Sequence, residues 1–473
     1  MCGTMLVFVI FAITVVTVLI GAVIYFYPGS KHVTTIPGLD PSDPKDGNIP
    51  DIGKAGSMHE FLMNLHEDYG PIASFWWGTK LAVSIASPEL FREHQTIFDK
   101  PPYLFALFQP LFGANSIQYA NGADGRNRRN LYDKAFSHDA VRYYMGTFNE
   151  LVAELVTKMK TLPKDEHIPL QQYSTALVLK GIARTSFGDY FKDDKVSLAF
   201  RKNYDICWHE MEHSLAHGLP EEGTDRDKAF KKARAQMLST IDAIIKQRRD
   251  NPPPPERQLF IDVLLENNFP ETQIKDDAIT YVIGGFHTSG NMLAWTLYFI
   301  ATHQDIQKKL HKEIESVLGD EDVDPSHITQ LVYLRQVLDE SLRASILGPW
   351  AARCDDTDTK LGGHVIPKGT PVIHALGVTL QDEKQWPHPA KFDPERFSPE
   401  NRKKRDKFAF QPFGFSGKRI CPGYRFAYAE IAVFLAVLCR AFKFNIVEGQ
   451  VVEPVYGFVT SPKEEVWVTK EKR

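Results

Sequence analysis

The sequence predicts a mainly α-helical single body with small β-sheets (α+β), preceded by an N-terminal membrane anchor. Helical hydrophobic periodicity dominates the chain from Pro88 to about Leu347. Short strand-like segments lie on either side of that region. From Met5 to Tyr27 there are 23 residues without a charge, enough to cross a hydrocarbon core of roughly 30 Å as a helix. The first two observations favour a compact α+β fold, and the third favours a membrane-bound protein.

The composition excludes several protein classes. With 473 residues, 43% hydrophobic and 24% charged, the chain is long enough for one large domain. A formal net charge of -4 gives no attraction toward nucleic acid. The odd number of scattered cysteines indicates a reducing environment rather than a disulfide framework. These cysteines are Cys2, Cys207, Cys354, Cys421 and Cys439.

Three segments organise the chain. Residues 1–30 are predicted to form the transmembrane anchor, residues 31–56 a Pro-rich linker and residues 57–473 the folded domain. A retained anchor fits better than a cleaved signal peptide because the apolar run is long and no basic residue precedes it. Lys31 and His32 follow the run and favour a body on the cytosolic side. The prolines of the linker predict a stiff, extended spacer.

The elements of the folded part follow in order. Met58–Tyr69 has helical periodicity, and Ile72–Trp77 and Leu81–Ile85 are predicted strands joined through a glycine. After Gly348 the pattern changes to short strand-like pieces and then to an irregular stretch, Trp386–Phe397. The main helices predicted between these two regions are Tyr143–Thr161, Leu170–Ser186, Asp227–Arg249, Lys275–His303 and Thr329–Ala344.

A glycine-rich loop carries Cys421 into the start of a long apolar run, Tyr424 to Phe442. Pro422 suits the first helical position, so we expect the sulfur at a helix N-terminus. There, backbone N–H groups and the positive helix end favour a thiolate over a thiol. Such a thiolate can be a nucleophile, a zinc ligand or a haem ligand. The scattering of the other cysteines argues against zinc, and the loop alone leaves the other two uses open.

A pair of charged motifs accompanies the cysteine loop. Glu340 and Arg343 stand at i, i+3 on a predicted helix, so they share one face. By itself this pattern usually marks a surface pair. About fifty residues on lies Arg396, within the stretch Phe392–Phe397. We predict that the three charges form a buried network that locks the irregular stretch under the cysteine loop.

Three glycines, Gly284, Gly285 and Gly290, lie within one predicted helix. Each costs on the order of 1 kcal/mol relative to alanine in a helix interior, so each needs a reason. The reasons are a helix opened for a bound molecule, close packing against a flat cofactor, or tight helix packing alone. A phosphate-binding loop is excluded because Gly290 is followed by Asn291 rather than lysine.

A rival motif is His209, Glu210 and His213, which matches His-Glu-x-x-His. On a helix this spacing offers two zinc ligands and a general base, as in a zinc hydrolase. The motif lies in a polar segment that runs into a Pro-Gly loop, so a solvated helix face explains it better.

Four features, taken in this order, resemble the cytochrome P-450 family, the haem-thiolate monooxygenases. They are the Gly-Gly-x-His-Thr-Ser helix, the Glu-x-x-Arg pair, the Pro-Glu-Arg-Phe stretch and the loop Phe-Gly-Phe-Ser-Gly-Lys-Arg-Ile-Cys-Pro-Gly. The resemblance covers the chain from Ser57 to its end and implies a cytochrome P-450 fold. The single anchor is similar to that of the microsomal members. Stretches such as Asp46–Ile52, Met58–Trp77 and Val447–Trp467 look like the animal family numbered twenty, an orphan group without an agreed substrate.

The resemblance implies that Cys421 is the axial ligand of haem b (iron protoporphyrin IX), within a loop that includes Gly417 and Gly423. The loop is one residue longer than in the family. Phe413 and Phe415 therefore flank the place where the family has one phenylalanine. Either ring is a candidate to cover the sulfur and tune its hydrogen bonds.

The resemblance also assigns three arginines to the haem propionates: Arg129, Arg353 and Arg419. The family has a tryptophan near the first of them, and Gly125 stands in that place here. One propionate contact is therefore in question.

Two candidate catalytic residues follow from the same resemblance. Thr288 stands where the family has the residue that hydrogen-bonds dioxygen, and His287 stands where the family has an acid. An imidazole, neutral or charged, can still relay protons near neutral pH. We therefore expect altered proton delivery.

The implied function is that of an endoplasmic-reticulum-anchored monooxygenase whose catalytic domain faces the cytosol. It would insert one oxygen atom from O2 into an apolar, lipid-like or sterol-like substrate. Its electrons would come from NADPH-cytochrome P-450 reductase or cytochrome b5, for which the basic run from Arg402 to Lys407 is a candidate docking surface. Phe286 and the segment Phe105–Phe112 are expected to line the substrate pocket. The alternative within the fold is a haem-binding sensor or carrier with little monooxygenase activity.

Overall fold

The structure is a computed structural model that describes residues 13–21, 34–254 and 258–473, without the side chains of residues 215–217. Residues 13–21 are helical. The further helices are α1 (Ile49–Ala55), α2 (Met58–Tyr69), α3 (Pro88–Glu93), α4 (Gln109–Phe112), α5 (Gly122–Tyr132), α6 (His138–Thr161), α7 (Leu170–Phe187), α8 (Asp194–His217), α9 (Asp225–Asp250), α10 (Phe260–Glu266), α11 (Glu271–Thr302), α12 (Gln304–Leu318), α13 (Pro325–Gln330), α14 (Val332–Ser345), α15 (Leu376–Gln381), α16 (Pro399–Lys404) and α17 (Tyr424–Ala441).

The strands are short and form four small sheets. They are β1 (Ile72–Trp77), β2 (Lys80–Ile85), β3 (Ile168–Pro169), β4 (Ala351–Arg353), β5 (Thr359–Leu361), β6 (His364–Ile366), β7 (Val372–His374), β8 (Phe442–Ile446), β9 (Pro454–Tyr456), β10 (Thr460–Pro462) and β11 (Trp467–Lys472). The largest sheet has the order β1-β2-β7-β4, and the others are β3-β11-β8, β5-β6 and β9-β10.

The four-stranded sheet brings distant parts of the chain together. β1 and β2 form the predicted hairpin, in which Trp77 pairs with Lys80. β2 runs parallel to β7, with Val83 opposite Val372. β4 runs antiparallel to β7 and places Arg353 opposite Val372. The sheet thereby positions one of the predicted haem contacts.

The core lies between long helices, and α11 is buried along most of its 32 residues. An apolar helix of this kind must be covered on all sides by other elements. It packs against α7, while α17 packs against α6 through Phe148, whose ring lies 5.2 Å from that of Phe426 and 6.0 Å from that of Phe434. The cysteine loop enters this core directly before α17.

The predicted spacer is folded over much of its length. Ile36 is only 1% exposed, and the backbone N–H of Trp76 donates to Asn48 Oδ1 at 2.8 Å. α1 also lies inside the segment predicted to be extended. The boundary predicted at Ser57 is therefore too late. The prolines do not keep the segment apart, because its polar groups pair with β1.

The predicted anchor, residues 1–30, lies outside the described residues except for 13–21. Within the described ranges, no helix is both long enough and apolar enough to span a bilayer.

Candidate functional site

The cysteine loop closes on itself directly before α17. The Cys421 N–H donates to the Phe413 carbonyl at 2.9 Å, and the Gly423 N–H donates to the cysteine sulfur. Gly423 is the N-cap and Tyr424 the first helical residue. The prediction that Pro422 occupies the first helical position is therefore wrong, because residues 422 and 423 form a turn that holds the sulfur ahead of the helix.

Burial of the Cys421 thiol raises its pKa, although the residue's surface is partly open. The Gly423 N–H and the positive charge of Arg129 act in the opposite direction without overcoming burial. The helix end alone thus does not produce the thiolate expected from the sequence. A coordinated metal ion deprotonates a thiol outright, so the environment suits a metal ligand better than a free nucleophile.

Gly417 pins the loop to the segment that follows α3. Its φ is +62°, and an added Cβ would lie 2.4 Å from the Ile97 carbonyl oxygen. The neighbouring Ser416 hydroxyl donates to the carbonyls of His94 at 2.8 Å and Ile97 at 2.6 Å. A side chain at position 417 would therefore move the loop away from its support.

The two phenylalanines that flank Gly414, where the family has one phenylalanine, contact different neighbours. The Phe413 ring lies 5.1 Å from that of Tyr428 on α17. The Phe415 ring stacks on His374 of β7 at 4.6 Å and lies 5.0 Å from Phe91. Phe413 is thus the ring that stays with the helix following Cys421, and its carbonyl also accepts the cysteine N–H.

Four cations gather beside the loop, three of them buried and one half-buried. Three are the predicted arginines, Arg129, Arg353 and Arg419, and the fourth is Lys100, which sequence reasoning missed. Burial and the charges of the three arginines hold the pKa of Lys100 well below its usual value. Burial, followed by the like charges nearby, lowers the pKa of Arg353 to about 10 and that of Arg419 to about 9.

The positive charge of this cluster is largely uncompensated. Arg129 pairs with Asp133 at 2.8 Å. Arg419 donates to backbone carbonyl oxygens, the closest at 2.6 Å. Arg353 Nε is buried and has no hydrogen-bond partner among the residues that the structure describes. A buried cation is costly unless it is paired. The cluster therefore fits the two propionates of a haem.

The glycine in place of the expected tryptophan has a steric cause. A Cβ on Gly125 would lie 2.4 Å from the Ala120 carbonyl oxygen and 3.0 Å from the Phe98 ring. That ring in turn lies under the Arg419 guanidinium, with the carbon 4.6 Å from the ring centroid. Phe98 thus occupies space beside residue 125, and Lys100 supplies a further cation near the predicted arginines.

The structure brings Glu340, Arg343 and Arg396 together. Arg343 Nε and Nη2 donate to the two oxygens of Glu340 at 2.7 and 2.8 Å, and both residues are at most 1% exposed. The Asp393 N–H donates to Glu340 at 2.8 Å, and Arg396 Nε lies 3.5 Å from the same carboxylate. The network holds the irregular stretch against α14.

The three glycines of α11 have two different reasons. A Cβ on Gly285 or Gly290 would lie 2.5 or 2.6 Å from side-chain atoms of α7, so helix packing explains both. Gly284 is exposed in the middle of the helix, and no atom of the described residues lies within 4 Å of an added Cβ. Its carbonyl accepts the Thr288 hydroxyl at 2.7 Å. This turn of α11 therefore faces open space, as expected beside a bound molecule.

His287 is neutral and held by two aromatic side chains. Its Nδ1 lies 2.5 Å from the Tyr204 hydroxyl, and the Trp208 ring lies 4.5 Å from the imidazole. Burial, and then the positive charge of Arg201, lowers the pKa of His287 to about 3. Of the two charge states expected from the sequence, the structure favours the neutral imidazole.

An aromatic cluster joins the predicted pocket segment to His287. Its rings contact one another at centroid distances of 4.9 to 6.1 Å. It consists of Phe105, Phe108, Trp208, Trp350 and Phe458. Phe286, also expected to line the pocket, is instead 1% exposed and packs against Tyr204 with the ring centroids 4.4 Å apart.

In the rival zinc motif, the glutamate forms contacts with other side chains. Glu210 forms a double contact with Arg226, at 2.6 and 3.0 Å, and accepts the Ser214 hydroxyl at 2.9 Å. In the part of the chain that the structure describes, no three potential ligands gather around a metal position. The geometry therefore goes against zinc held by His209 and His213.

The basic run is only partly available for docking. Arg402 lies 3.5 Å from the buried Asp339 carboxylate, and Arg405 stacks over the Trp386 ring at 4.0 Å. These two side chains form contacts within the folded protein and are therefore less available to a partner. The exposed lysines of the run are Lys403, Lys404 and Lys407.

Lys100, Tyr204 and Trp208 escaped sequence reasoning because their partners are distant in the chain. Tyr204 and His287 are 83 residues apart, and no local motif marks Lys100. The one available signal was the i, i+4 spacing of Tyr204 and Trp208 on α8, which places both rings on one face.

Comparisons with known proteins agree with this geometry. Residues 37–468 match the family described as Cytochrome P450. Cytochrome P450 20A1 of Bos taurus is 38% identical over 469 residues, which cover 99% of this chain and 100% of the relative. Cytochrome P450 20A1 of Homo sapiens is 36% identical over 473 residues, with the same two coverages. Cytochrome P450 4V2 of Mus musculus is 25% identical over 436 residues, covering 85% of this chain and 82% of the relative.

Proposed function

This chain belongs to the cytochrome P450 family of haem-thiolate monooxygenases, and from that premise we propose that Cys421 holds its haem b and that it oxidises an apolar substrate. The single observation that carries the proposal is the half-buried Cys421 thiol beside four cations, of which, among the described residues, only Arg129 has a carboxylate partner. When bound, the haem supplies the iron at which dioxygen is reduced.

The protein's own residues divide the remaining work. Arg353, Arg419 and Lys100 neutralise the propionates, and Arg129 contributes on the side of α5. The Gly423 N–H donates to the sulfur of Cys421, which tempers its electron donation. The Glu340 network keeps the stretch before the loop in place without contacting the reaction.

Thr288 and His287 are the residues that would hydrogen-bond dioxygen and deliver protons to it. The Thr288 hydroxyl is anchored on the Gly284 carbonyl, and the neighbouring open surface leaves room for dioxygen. His287 is neutral at physiological pH, so it offers a hydrogen bond rather than a stored charge. A carboxylic acid at this position would act differently, because it can be ionised and reprotonated near neutral pH.

The substrate is apolar and flat enough to lie among aromatic rings. The cluster of Phe105, Phe108, Trp208, Trp350 and Phe458 comes from four separate segments. Aromatic faces favour planar or ring-containing partners. A sterol-like or other ring-containing lipid fits this lining. Residues 5–27 anchor the protein in the endoplasmic reticulum membrane, and the catalytic domain lies in the cytosol. Apolar substrates dissolved in the lipid would reach the domain from the membrane.

The function is tested with purified protein, a flavoprotein reductase, NADPH and dioxygen labelled with the heavy oxygen isotope. Ring-containing lipids are screened first by the shift they cause in the Soret band. We expect a substrate that shifts the band to gain one labelled oxygen atom. NADPH consumption that yields only peroxide for every shifting compound would contradict the proposal.

The second candidate function, a haem-binding sensor or carrier, is favoured by the neutral His287. His287→Asp restores a carboxylic acid at this position. If this variant forms product with good coupling where the wild type forms none, the wild type has lost turnover and the carrier function is supported. If the wild type already forms product, the carrier function is excluded.

The electrons come from a separate flavoprotein that docks on the exposed lysines of the basic run. The double change Lys403→Glu, Lys404→Glu should slow reductase-driven turnover by roughly tenfold at low ionic strength, because surface charges steer association. Turnover driven by peroxide should stay unchanged.

The matched control is Lys228→Glu, Lys232→Glu, two exposed lysines one turn apart on α9. This control should leave both assays unaltered. An equal loss in the two assays for the Lys403 and Lys404 variant would show damage to the fold instead of lost docking.

A further inference from the structure

The contact between Tyr204 and His287 joins two neutral groups, a buried phenol and a half-buried imidazole. Tyr204 is 2% exposed, and burial raises the pKa of its hydroxyl well above the usual value. Burial likewise keeps the imidazole neutral. A bond between a neutral phenol and a neutral imidazole has one proton between the two heavy atoms, and that proton belongs to one of them.

Two arrangements satisfy the 2.5 Å contact between the Tyr204 hydroxyl and His287 Nδ1. In the first, the phenol donates to Nδ1 and the imidazole proton sits on Nε2. In the second, Nδ1–H donates to the phenol oxygen, whose own proton must then find another acceptor. Within the described residues, the Tyr204 hydroxyl has no other hydrogen-bond partner. Burying an unpaired O–H costs about 1–3 kcal/mol, so the second arrangement is disfavoured.

The imidazole side of the contact points to the same answer. His287 is half-buried. Among the described residues, its Nε2 is not a buried atom left without a hydrogen-bond partner. An N–H on Nε2 thus reaches an accessible space, where dioxygen, substrate or water can accept it. The Trp208 ring, 4.5 Å away and tilted by 36°, holds the plane of the imidazole. Trp208 is itself fixed, because its Nε1–H donates to Glu212 at 2.8 Å.

We propose that Tyr204 is a positioning residue, which donates its hydroxyl proton to His287 Nδ1 and thereby fixes the imidazole as the neutral Nε2–H tautomer. His287 then presents its Nε2–H as a hydrogen-bond donor in a fixed direction. His287 lies next to Thr288 and one turn of α11 from Gly284. The consequence for oxygen chemistry rests on the proposed monooxygenase function. The tautomer itself does not.

The tautomer is measured by nitrogen NMR of histidine-labelled protein in the diamagnetic ferrous carbonyl form, with the His287 signal assigned from its loss in His287→Gln. In the wild type we expect Nδ1 to resonate as an unprotonated, hydrogen-bonded nitrogen and Nε2 as a protonated one. Tyr204→Phe keeps the ring but removes the donor, so the signal should become that of two exchanging tautomers. A wild-type signal with the proton on Nδ1, or a signal unchanged in Tyr204→Phe, would overturn the proposal.

A second measurement connects the tautomer to turnover. The share of NADPH electrons recovered in product should fall by roughly threefold to tenfold in Tyr204→Phe, the scale of losing one hydrogen bond between neutral groups. Tyr144→Phe is the matched control. It removes another buried hydroxyl, which donates to the Ala135 carbonyl at 3.2 Å, and it should leave both the coupling and the His287 signal as in the wild type.

The reduced carbonyl spectrum distinguishes a failure of the role assigned to Tyr204 from a failure of the proposed function. A thiolate-type band in the wild type and in both tyrosine variants, with an unchanged tautomer in Tyr204→Phe, refutes the role of Tyr204 alone. Absence of that band in the wild type refutes the proposed function; the tautomer is then decided by the same NMR comparison on the haem-free protein, which is also diamagnetic.

Discussion

Cys421→Ala abolishes the thiolate-type Soret band of the reduced carbonyl complex and all reductase-driven product formation: this is the largest effect we expect. The Cys421 sulfur is the group of the loop that would bind the haem iron, whereas the Ser416 hydroxyl and the Arg419 guanidinium are engaged with backbone carbonyls. An alanine leaves that backbone intact, because the N–H of residue 421 still donates to Phe413. The cation cluster remains as well. The variant should therefore fold and retain weakly held haem with an altered spectrum.

Cys439→Ala is the control for this experiment. Cys439 lies on α17, the helix that follows the loop, and is fully buried. Its replacement removes one small buried group and should cost about 1 kcal/mol of stability without changing the band. A band that survives in Cys421→Ala, or that is lost equally in a folded Cys439→Ala, would contradict the assignment of Cys421.

Arg343→Met is expected to produce the largest loss of stability. The Arg343 guanidinium is paired with Glu340 at 2.7 and 2.8 Å inside the protein. Burial raises the pKa of Glu340, while Arg343 lowers it. Removing the arginine leaves this carboxylate with weaker partners, and breaking a buried pair costs about 3–5 kcal/mol. That is a large share of the 5–15 kcal/mol or so that typically separates folded from unfolded domains.

The loss is measured as a lower urea midpoint, followed by circular dichroism and by the Soret band. Lys192→Met is the matched control, because Lys192 and Asp189 have the same i, i+3 spacing but side chains 53% and 72% exposed. Exposed pairs contribute little, so its midpoint should hardly move. The double change Glu340→Gln, Arg343→Met should cost less than the sum of the single changes. If Arg343→Met is as mild as Lys192→Met, the network is not a stabilising lock.

Local patterns predicted several elements closely, although α8 is not among the main helices predicted and Thr329–Ala344 is divided between α13 and α14. The observed bounds of α2 (Met58–Tyr69) and β1 (Ile72–Trp77) are those predicted, and α7 and α17 differ by one residue at one end. Such elements depend on side-chain periodicity within one segment, which is visible in the sequence. The position of Pro422 was wrong because helix onset depends on the turn that the loop adopts against its surroundings. The spacer before Ser57 was wrong because pairing with β1 overrides the tendency of prolines toward extended chain.

The sequence by itself determined the family, the helical body with its small sheets, and the order of the motifs around Cys421, since these depend on residue type and spacing. Only the tertiary structure decided which charges and rings meet. Lys100 joins three arginines from other elements, and Gly284 opens a surface while Gly285 and Gly290 pack. Burial keeps His287 neutral, and the Tyr204 hydroxyl contacts its Nδ1. These outcomes depend on contacts between distant segments, such as Tyr204 and His287, which are 83 residues apart. They also depend on burial, which sets the free energy of each charge and hydrogen bond among them.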